Sequence, residues 1–217
     1  MSKLKTAVIG VGYLGKFHAD KYAALPDSEL VAVVDANADT AKEIAGKHGV
    51  KALTDYHELL GSVDAVSIAA PTTLHHQIAR DFLEHNCHVL IEKPITVTVD
   101  EADDLIELAL ANDLLIQVGH LERFNAALVN LGDTLHTPTF IESHRLAPFN
   151  PRATDVNVVL DLMIHDIDII LHIVKSDIKE MRVSGTPVLT QSTDIANARI
   201  EFENGCVANV TASRVSA

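Results

Sequence analysis

The chain has 217 residues, enough for one large domain or two small ones, and 47% hydrophobic against 22% charged residues is an ordinary globular balance. Its net charge of −13 argues against a nucleic-acid or anionic-membrane surface, and an anionic substrate would need a local basic cluster, with Arg123, Arg145 and Arg152 as candidates. Cys87 and Cys206 lie far apart without metal-ligand spacing, and Met1–Lys5 runs into the first apolar stretch with no leader-like run, so free thiols and a cytoplasmic location are expected.

An apolar strand over 5–10 runs into Gly10-Val-Gly-Tyr-Leu-Gly15, and a helix is expected over 13–25. The three glycines then have separate duties. Gly10 permits a tight turn, Gly12 lets backbone approach a pyrophosphate, and Gly15 lets the helix pack close to the strand. The pyrophosphate would sit on N–H groups at the positive end of that helix, beside Tyr13 and Leu14. A second strand over 30–35 ends in Asp35, twenty residues past Gly15. Its carboxylate suits ribose hydroxyls and repels a 2′-phosphate, and Ala36 offers no arginine to receive one, which favours NAD over NADP. A bare glycine turn can be purely steric. The strand before it, the helix after it and the acid at this distance select the dinucleotide reading.

The alternation continues with a helix over 38–48, a short strand at 51–53, a turn of helix at 55–60 and a strand over 64–69. Ala70-Pro71-Thr72 follows, with His75 opening a helix over 73–86, and a loop there would pass under the dinucleotide. Strand 88–92 ends in Glu92-Lys93-Pro94. Ligands bind beyond the carboxyl ends of parallel strands, so Lys93 is expected toward the nicotinamide end, and Pro94 keeps it out of the helical region. Taken alone, Lys93 reads more simply as a surface lysine before a turn proline. Helix 99–112 and strand 114–118 complete a series that implies right-handed crossovers and a parallel sheet covered on both faces.

After Gly119-His120 the grammar changes, dividing a dinucleotide-binding domain over 1–121 from a second domain over 122–217. A helix over 122–135 carries Arg123, which suits a phosphate or sugar oxygen, and Asn125. Residues 139–146 read as a strand, 155–174 as a long helix, and 178–190, 194–203 and 206–214 as strands, with Glu203-Asn204-Gly205 as a hairpin turn. Strands in series mean an antiparallel or mixed open sheet. The long helix sets Asp161 four residues before His165, one above the other on an otherwise apolar element. A carboxylate beneath an imidazole fixes its tautomer and raises its basicity, as in acid–base dyads. The spacing fits equally well side chains that merely face solvent, and more weakly a metal pair lacking its third ligand.

The glycine turn, Pro71 with His75, Glu92-Lys93-Pro94, Gly119-His120 with Arg123-Phe124, and the Asp161–His165 pair together resemble the Gfo/Idh/MocA family of sugar and cyclitol oxidoreductases, over essentially the whole chain. The resemblance implies an α/β protein: a Rossmann domain, then an α/β domain whose open sheet builds a homo-oligomer. It implies NAD bound by Gly10, Gly12, Tyr13, Leu14, Gly15, Asp35, Ala70, Pro71, Thr72, His75, Glu92 and Lys93. Catalysis would fall to Lys93, Asp161 and His165, and substrate binding to Lys93, Arg123, Asn125, Arg152 and His165, with no metal. The stretches 119–125, 142–149 and 160–168 are similar to the family's group that oxidises the 3-hydroxyl of UDP-N-acetylglucosamine, after which an aminotransferase can lead toward a diamino lipid A precursor. Two features depart from the pattern. Ala126 stands where a proline often follows, and family members run on well past Ala217, so the second domain is expected to be incomplete. The expected reaction is NAD(P)-dependent oxidation of a CH–OH group, with His165 taking the proton and Lys93 holding the oxygen. Alternatives are a dehydrogenase of a free sugar or inositol, a non-catalytic sensor of NAD and sugar, and a metal-assisted hydrolase.

Overall fold

In the computed structural model, which describes residues 2–131, 138–150 and 156–216, the chain divides into two units, Met1–Gly119 and His120–Ala217. The first contains strands β1 (Leu4–Ile9), β2 (Ser28–Val34), β3 (Lys51–Leu53), β4 (Ala65–Ile68), β5 (His88–Ile91) and β6 (Ile116–Val118). Helices α1 (Gly15–Ala24), α2 (Ala38–His48), α3 (His75–Glu84) and α4 (Val99–Ala111) alternate with them. The six strands form one parallel sheet in the order β3-β2-β1-β4-β5-β6. The order reverses between β1 and β4, and such a switch point opens a crevice beyond the strands' carboxyl ends.

Successive side chains of each strand serve opposite faces. Val8, Leu30 and Val33 pack with Val11, Ala19 and Ala45, whereas Ala7, Ile9, Ala32, Val66 and Ile68 pack with Ile78, Phe82, Leu83, Leu105 and Ala109. Both faces are thus buried, which is why these strands read as continuous apolar runs. Two of the helices carry explicit start signals. Asn37 accepts the N–H groups of Asp39 and Thr40 ahead of α2, and Thr98 with Glu101 forms a reciprocal capping box ahead of α4.

The second unit contains α5 (Ala126–Leu131), β7 (Phe140–Leu146), α6 (Ile164–Val174), β8 (Ile178–Thr186), β9 (Ile195–Phe202) and β10 (Val207–Ser213). Its sheet runs β7-β10-β9-β8 and is mixed, since β7 pairs parallel to β10 while the other pairs are antiparallel. Ala196, Ala198, Ile200 and Phe202 of β9, with Ala208, Val210 and Ala212 of β10, pack on Val158, Met163, Ile170 and Val174. The opposite face is polar, with Asn197 donating to Thr211 at 2.8 Å and Arg199 to Asn209 at 3.3 Å.

Three elements differ from expectation. The helix over 122–135 is instead a 3-10 turn (Leu121–Phe124) followed by α5, broken at Asn125, whose side-chain oxygen accepts the Ala127 N–H at 3.0 Å; residues 132–137 lie outside the described residues. The long helix opens as a π turn over Val159–Met163 before becoming α6, and residue 155 lies outside the described residues. The strand over 178–190 ends at Thr186. Pro187 has no N–H for the ladder, and the next three N–H groups, of Val188, Leu189 and Thr190, all donate to one oxygen of Asp194 at 2.7–2.8 Å.

Candidate functional site

The three glycines of the first turn meet very different surroundings. Gly10 has φ +83°, and a Cβ there would lie 2.7 Å from the Ala69 carbonyl oxygen. A Cβ on Gly15 would lie 1.8 Å from the Gly10 carbonyl oxygen, so the start of α1 packs directly on the turn. A Cβ on Gly12 would meet nothing within 4 Å. Gly10 and Gly15 are therefore demanded by the chain itself, whereas the space over Gly12 is open and leaves room for a bound group. The first turn of α1 matches this. Unlike α2 and α4 it has no side-chain cap and no acidic residue, so its end is unneutralised toward an anion. These residues fit a diphosphate.

Asp35 stands beside the turn at the end of β2. Its two oxygens accept the Val11 N–H at 3.0 Å and the Asn37 N–H at 2.9 Å, which fixes the carboxylate in place for a ribose. Tyr13, 62% exposed, and Leu14 flank the same turn.

At the tip of β4, Ala70, Pro71 and a buried Thr72 lead into α3. His75 is 1% exposed, and its ring nitrogens sit 2.9 Å from the carbonyl oxygens of Pro94 and Ala70. Both nitrogens thus face the protein interior, and His75 serves the site by tying the loop after β4 to the loop after β5. Between those ties lies Glu92-Lys93-Pro94, with the Lys93–Pro94 peptide cis. Lys93 is half-buried, while Glu92 is only 6% exposed. The Glu92 carboxylate lies 3.0 Å from His18 Nε2, and His18 Nδ1 lies 2.5 Å from the hydroxyl of Ser67. A Cβ on Gly119 would come within 3.0–3.2 Å of three carboxylate atoms of Glu92. Sequence reasoning missed His18 and Ser67. Ser67 is signalled only by its polarity in the buried strand β4, and His18, on the largely exposed α1, carries no such signal.

In the second unit Asn157 caps the long helix, accepting the N–H groups of Val159 and Leu160 at 3.0 and 3.1 Å. The π turn that follows carries Asp161, and the first turn of α6 carries His165, both half-buried. Such turns insert a residue into the helical ladder and recur at functional sites. Asp161 also lines a pocket of about 560 Å³ with Pro148, Phe149, Asn150, Leu162 and Arg214.

Two of the three arginines expected to serve an anionic substrate each pair with an acid of α6. Arg123 donates from Nε and Nη2 to Asp168 at 2.7 and 2.6 Å, and Arg145 donates from Nε to Asp166 at 2.7 Å with Ser143 donating to the same carboxylate at 2.8 Å. Burial pushes the Asp168 carboxyl upward, but Arg123 and the nearby His120 and His172 outweigh it and hold it below the ordinary range. The physical reason is local: α6 presents two buried acids, and each needs its own arginine. Asn125 is likewise engaged, its amide 3.4 Å from Glu122. Arg152 lies outside the described residues.

Among the described residues no three His, Cys, Asp or Glu side chains gather as metal ligands, and no helix is long and apolar enough to cross a membrane. Cys87 and Cys206 are buried free thiols, and burial pushes Cys87 up to about 12.

Comparison with known proteins accords with this geometry. The sequence model of an oxidoreductase family with an NAD-binding Rossmann fold matches residues 4–120, and that of the GFO/IDH/MocA C-terminal domain matches residues 130–217. The chain is 42% identical to a UDP-N-acetylglucosamine 3-dehydrogenase of Acidithiobacillus ferrooxidans, over 99% of this chain and 68% of that one. A solved structure of that enzyme superposes with a TM-score of 0.90, covering 100% of this chain and 72% of the other. A scyllo-inositol 2-dehydrogenase (NAD(+)) of Bacillus subtilis is 27% identical over 99% of this chain and 68% of its own length.

Proposed function

The chain belongs to the Gfo/Idh/MocA family of NAD-binding oxidoreductases, and on that premise we propose that it oxidises the 3-hydroxyl of UDP-N-acetylglucosamine. That it is an NAD-dependent dehydrogenase of CH–OH groups follows from the family. The sugar is our reading, and the observation that carries it is the 42% identity to a dehydrogenase of that substrate across 99% of the chain.

The residues divide the work as follows. The N–H groups around Gly12 and the start of α1 receive the diphosphate of NAD, and Asp35 takes the ribose hydroxyls. NAD supplies the acceptor for the hydride. Lys93 holds the sugar oxygen and stabilises the negative charge that develops on it. His165, oriented by Asp161, takes the hydroxyl proton at a ring nitrogen. The second unit bears the substrate, and the polar face of β9 and β10 joins copies into a homo-oligomer in the cytoplasm. The resulting 3-keto sugar would suit amination toward a lipid A precursor.

A free cyclitol is the second reading, because the family relatives include inositol dehydrogenases. NADH formation with UDP-N-acetylglucosamine, myo-inositol and scyllo-inositol separates the two. Turnover of the nucleotide sugar alone is expected; turnover of an inositol in its place overturns the sugar reading. Lys93→Met should then lower kcat by about two orders of magnitude or more while NAD binds within about threefold of the parent. Wild-type turnover in that variant removes Lys93 from the mechanism.

A further inference from the structure

We propose that His18 is a positioning residue for Lys93, acting through a buried chain that runs from Ser67 through His18 to Glu92. The inference rests on the reading of Lys93 given above. Four elements converge here: His18 lies on α1, Ser67 on β4, Glu92 directly after β5 and Gly119 directly after β6. Ser67 is fully buried and Glu92 nearly so, which shields these contacts from solvent.

His18 Nε2 lies 3.0 Å from Oε1 of Glu92, an ion-pair contact outside hydrogen-bond geometry, and His18 Nδ1 shares a hydrogen bond with the Ser67 hydroxyl at 2.5 Å. The other carboxylate oxygen of Glu92 accepts the backbone N–H of Lys93 at 3.3 Å. Gly119 closes the third side, since the carboxylate lies flat against it with three atoms 3.0–3.2 Å from where a Cβ would stand. The carboxylate therefore has the His18 ring 3.0 Å from one oxygen, the Lys93 N–H on the other and backbone against its face. It cannot turn without releasing the Lys93 peptide.

The other flank of Lys93 is held independently, because His75 bonds the Pro94 carbonyl at 2.9 Å. A histidine thus braces the backbone on each side of the lysine. Reactive groups lose rate steeply when displaced by an ångström, so a residue that neither touches substrate nor lies in the glycine turn can still set kcat.

Two polar variants of His18 isolate the contact. His18→Asn retains an atom near Nδ1 for Ser67 but falls short of Glu92, whereas His18→Gln places a donor near Nε2 for Glu92. Amide hydrogen exchange of the full chain without cofactor is the primary measurement, with the Val8 and Val66 amides of β1 and β4 as internal controls. In His18→Asn the Lys93 amide should exchange at least about tenfold faster with the controls within about twofold, and His18→Gln should return it to within about threefold. With NAD and UDP-N-acetylglucosamine, His18→Asn should lower kcat about tenfold at unchanged NAD affinity, and His18→Gln should restore it. Equal acceleration at Lys93, Val8 and Val66 would make His18 a general packing residue and overturn the proposal; so would an unchanged Lys93 amide. Retained turnover in Lys93→Met would remove the catalytic reading alone, leaving the exchange result to decide the brace.

Discussion

Gly12 and Gly15 look alike in the sequence and are opposites in the structure. A methyl group on Gly15 runs into backbone, at 1.8 Å from the Gly10 oxygen, while one on Gly12 enters open space. Gly15→Ala should therefore destabilise the cofactor-free protein by about 3 kcal/mol, through overpacking that only backbone movement can relieve. Gly12→Ala should leave stability within about 0.5 kcal/mol and weaken NAD about tenfold or more. Urea unfolding and calorimetric titration with NAD separate the two effects. If Gly12→Ala binds NAD normally, the open space is not where the diphosphate lies. The steric roles of Gly10 and Gly15 were legible because they depend on residues close together in the chain, in a fixed strand–turn–helix order. The contact of Glu92 with Gly119 was not, because it arises only where β5 and β6 lie side by side. Gly119 reads as the residue that closes a strand and is in fact the floor beneath a carboxylate.

At the level of elements, hydrophobic period identified the strands and helices of the first unit, where every strand is covered on two faces and punctuated by loops. It failed where a single polar residue redirects the backbone. The π turn over Val159–Met163 adds a residue to a pattern that a period of 3.6 still fits. The stretch 187–193 keeps strand-like residues but is wound around Asp194, which also accepts from Arg214 Nε at 2.8 Å. Burial raises the Asp194 carboxyl, but the N–H groups of Thr190 and Val188, the Arg214 guanidinium and the Thr190 hydroxyl overcome it, holding it well below the usual carboxylate range. A carboxyl depressed on folding adds stability that is complete above its unfolded value, about 4, and is lost as pH falls through the folded one. Asp194→Asn should thus lower the melting midpoint by several degrees near neutral pH, and the gap to the parent should narrow as pH drops below about 4. Circular-dichroism melts across that range test it. A gap that stays constant or widens in acid would mean that Asp194 acts through packing alone.

Among the described residues the hydrophobic cores are separate, two on the faces of the parallel sheet and one beneath the mixed sheet, and none draws residues from both units. The contrast was visible as a change of pattern along the chain. Strands covered on both faces are continuously apolar, whereas β9 and β10 alternate between a core face and a polar one. Separate cores have a thermodynamic consequence. A ligand that binds only the native form stabilises whatever must unfold to release it, by about 2.7 kcal/mol at a hundred times its Kd. The residues proposed to hold NAD, from Gly10 to Asp35 and from Ala70 to Lys93, all fall in the first unit. Saturating NAD should therefore slow the slowest amides of β1 and β4 by about two orders of magnitude, while the Ile200 and Val210 amides of β9 and β10 change less than about threefold. Hydrogen exchange with and without NAD reads both units in one sample. Equal protection in the two sheets would show that the chain unfolds as one cooperative body despite its divided cores, whereas unequal protection would show that the two units open independently.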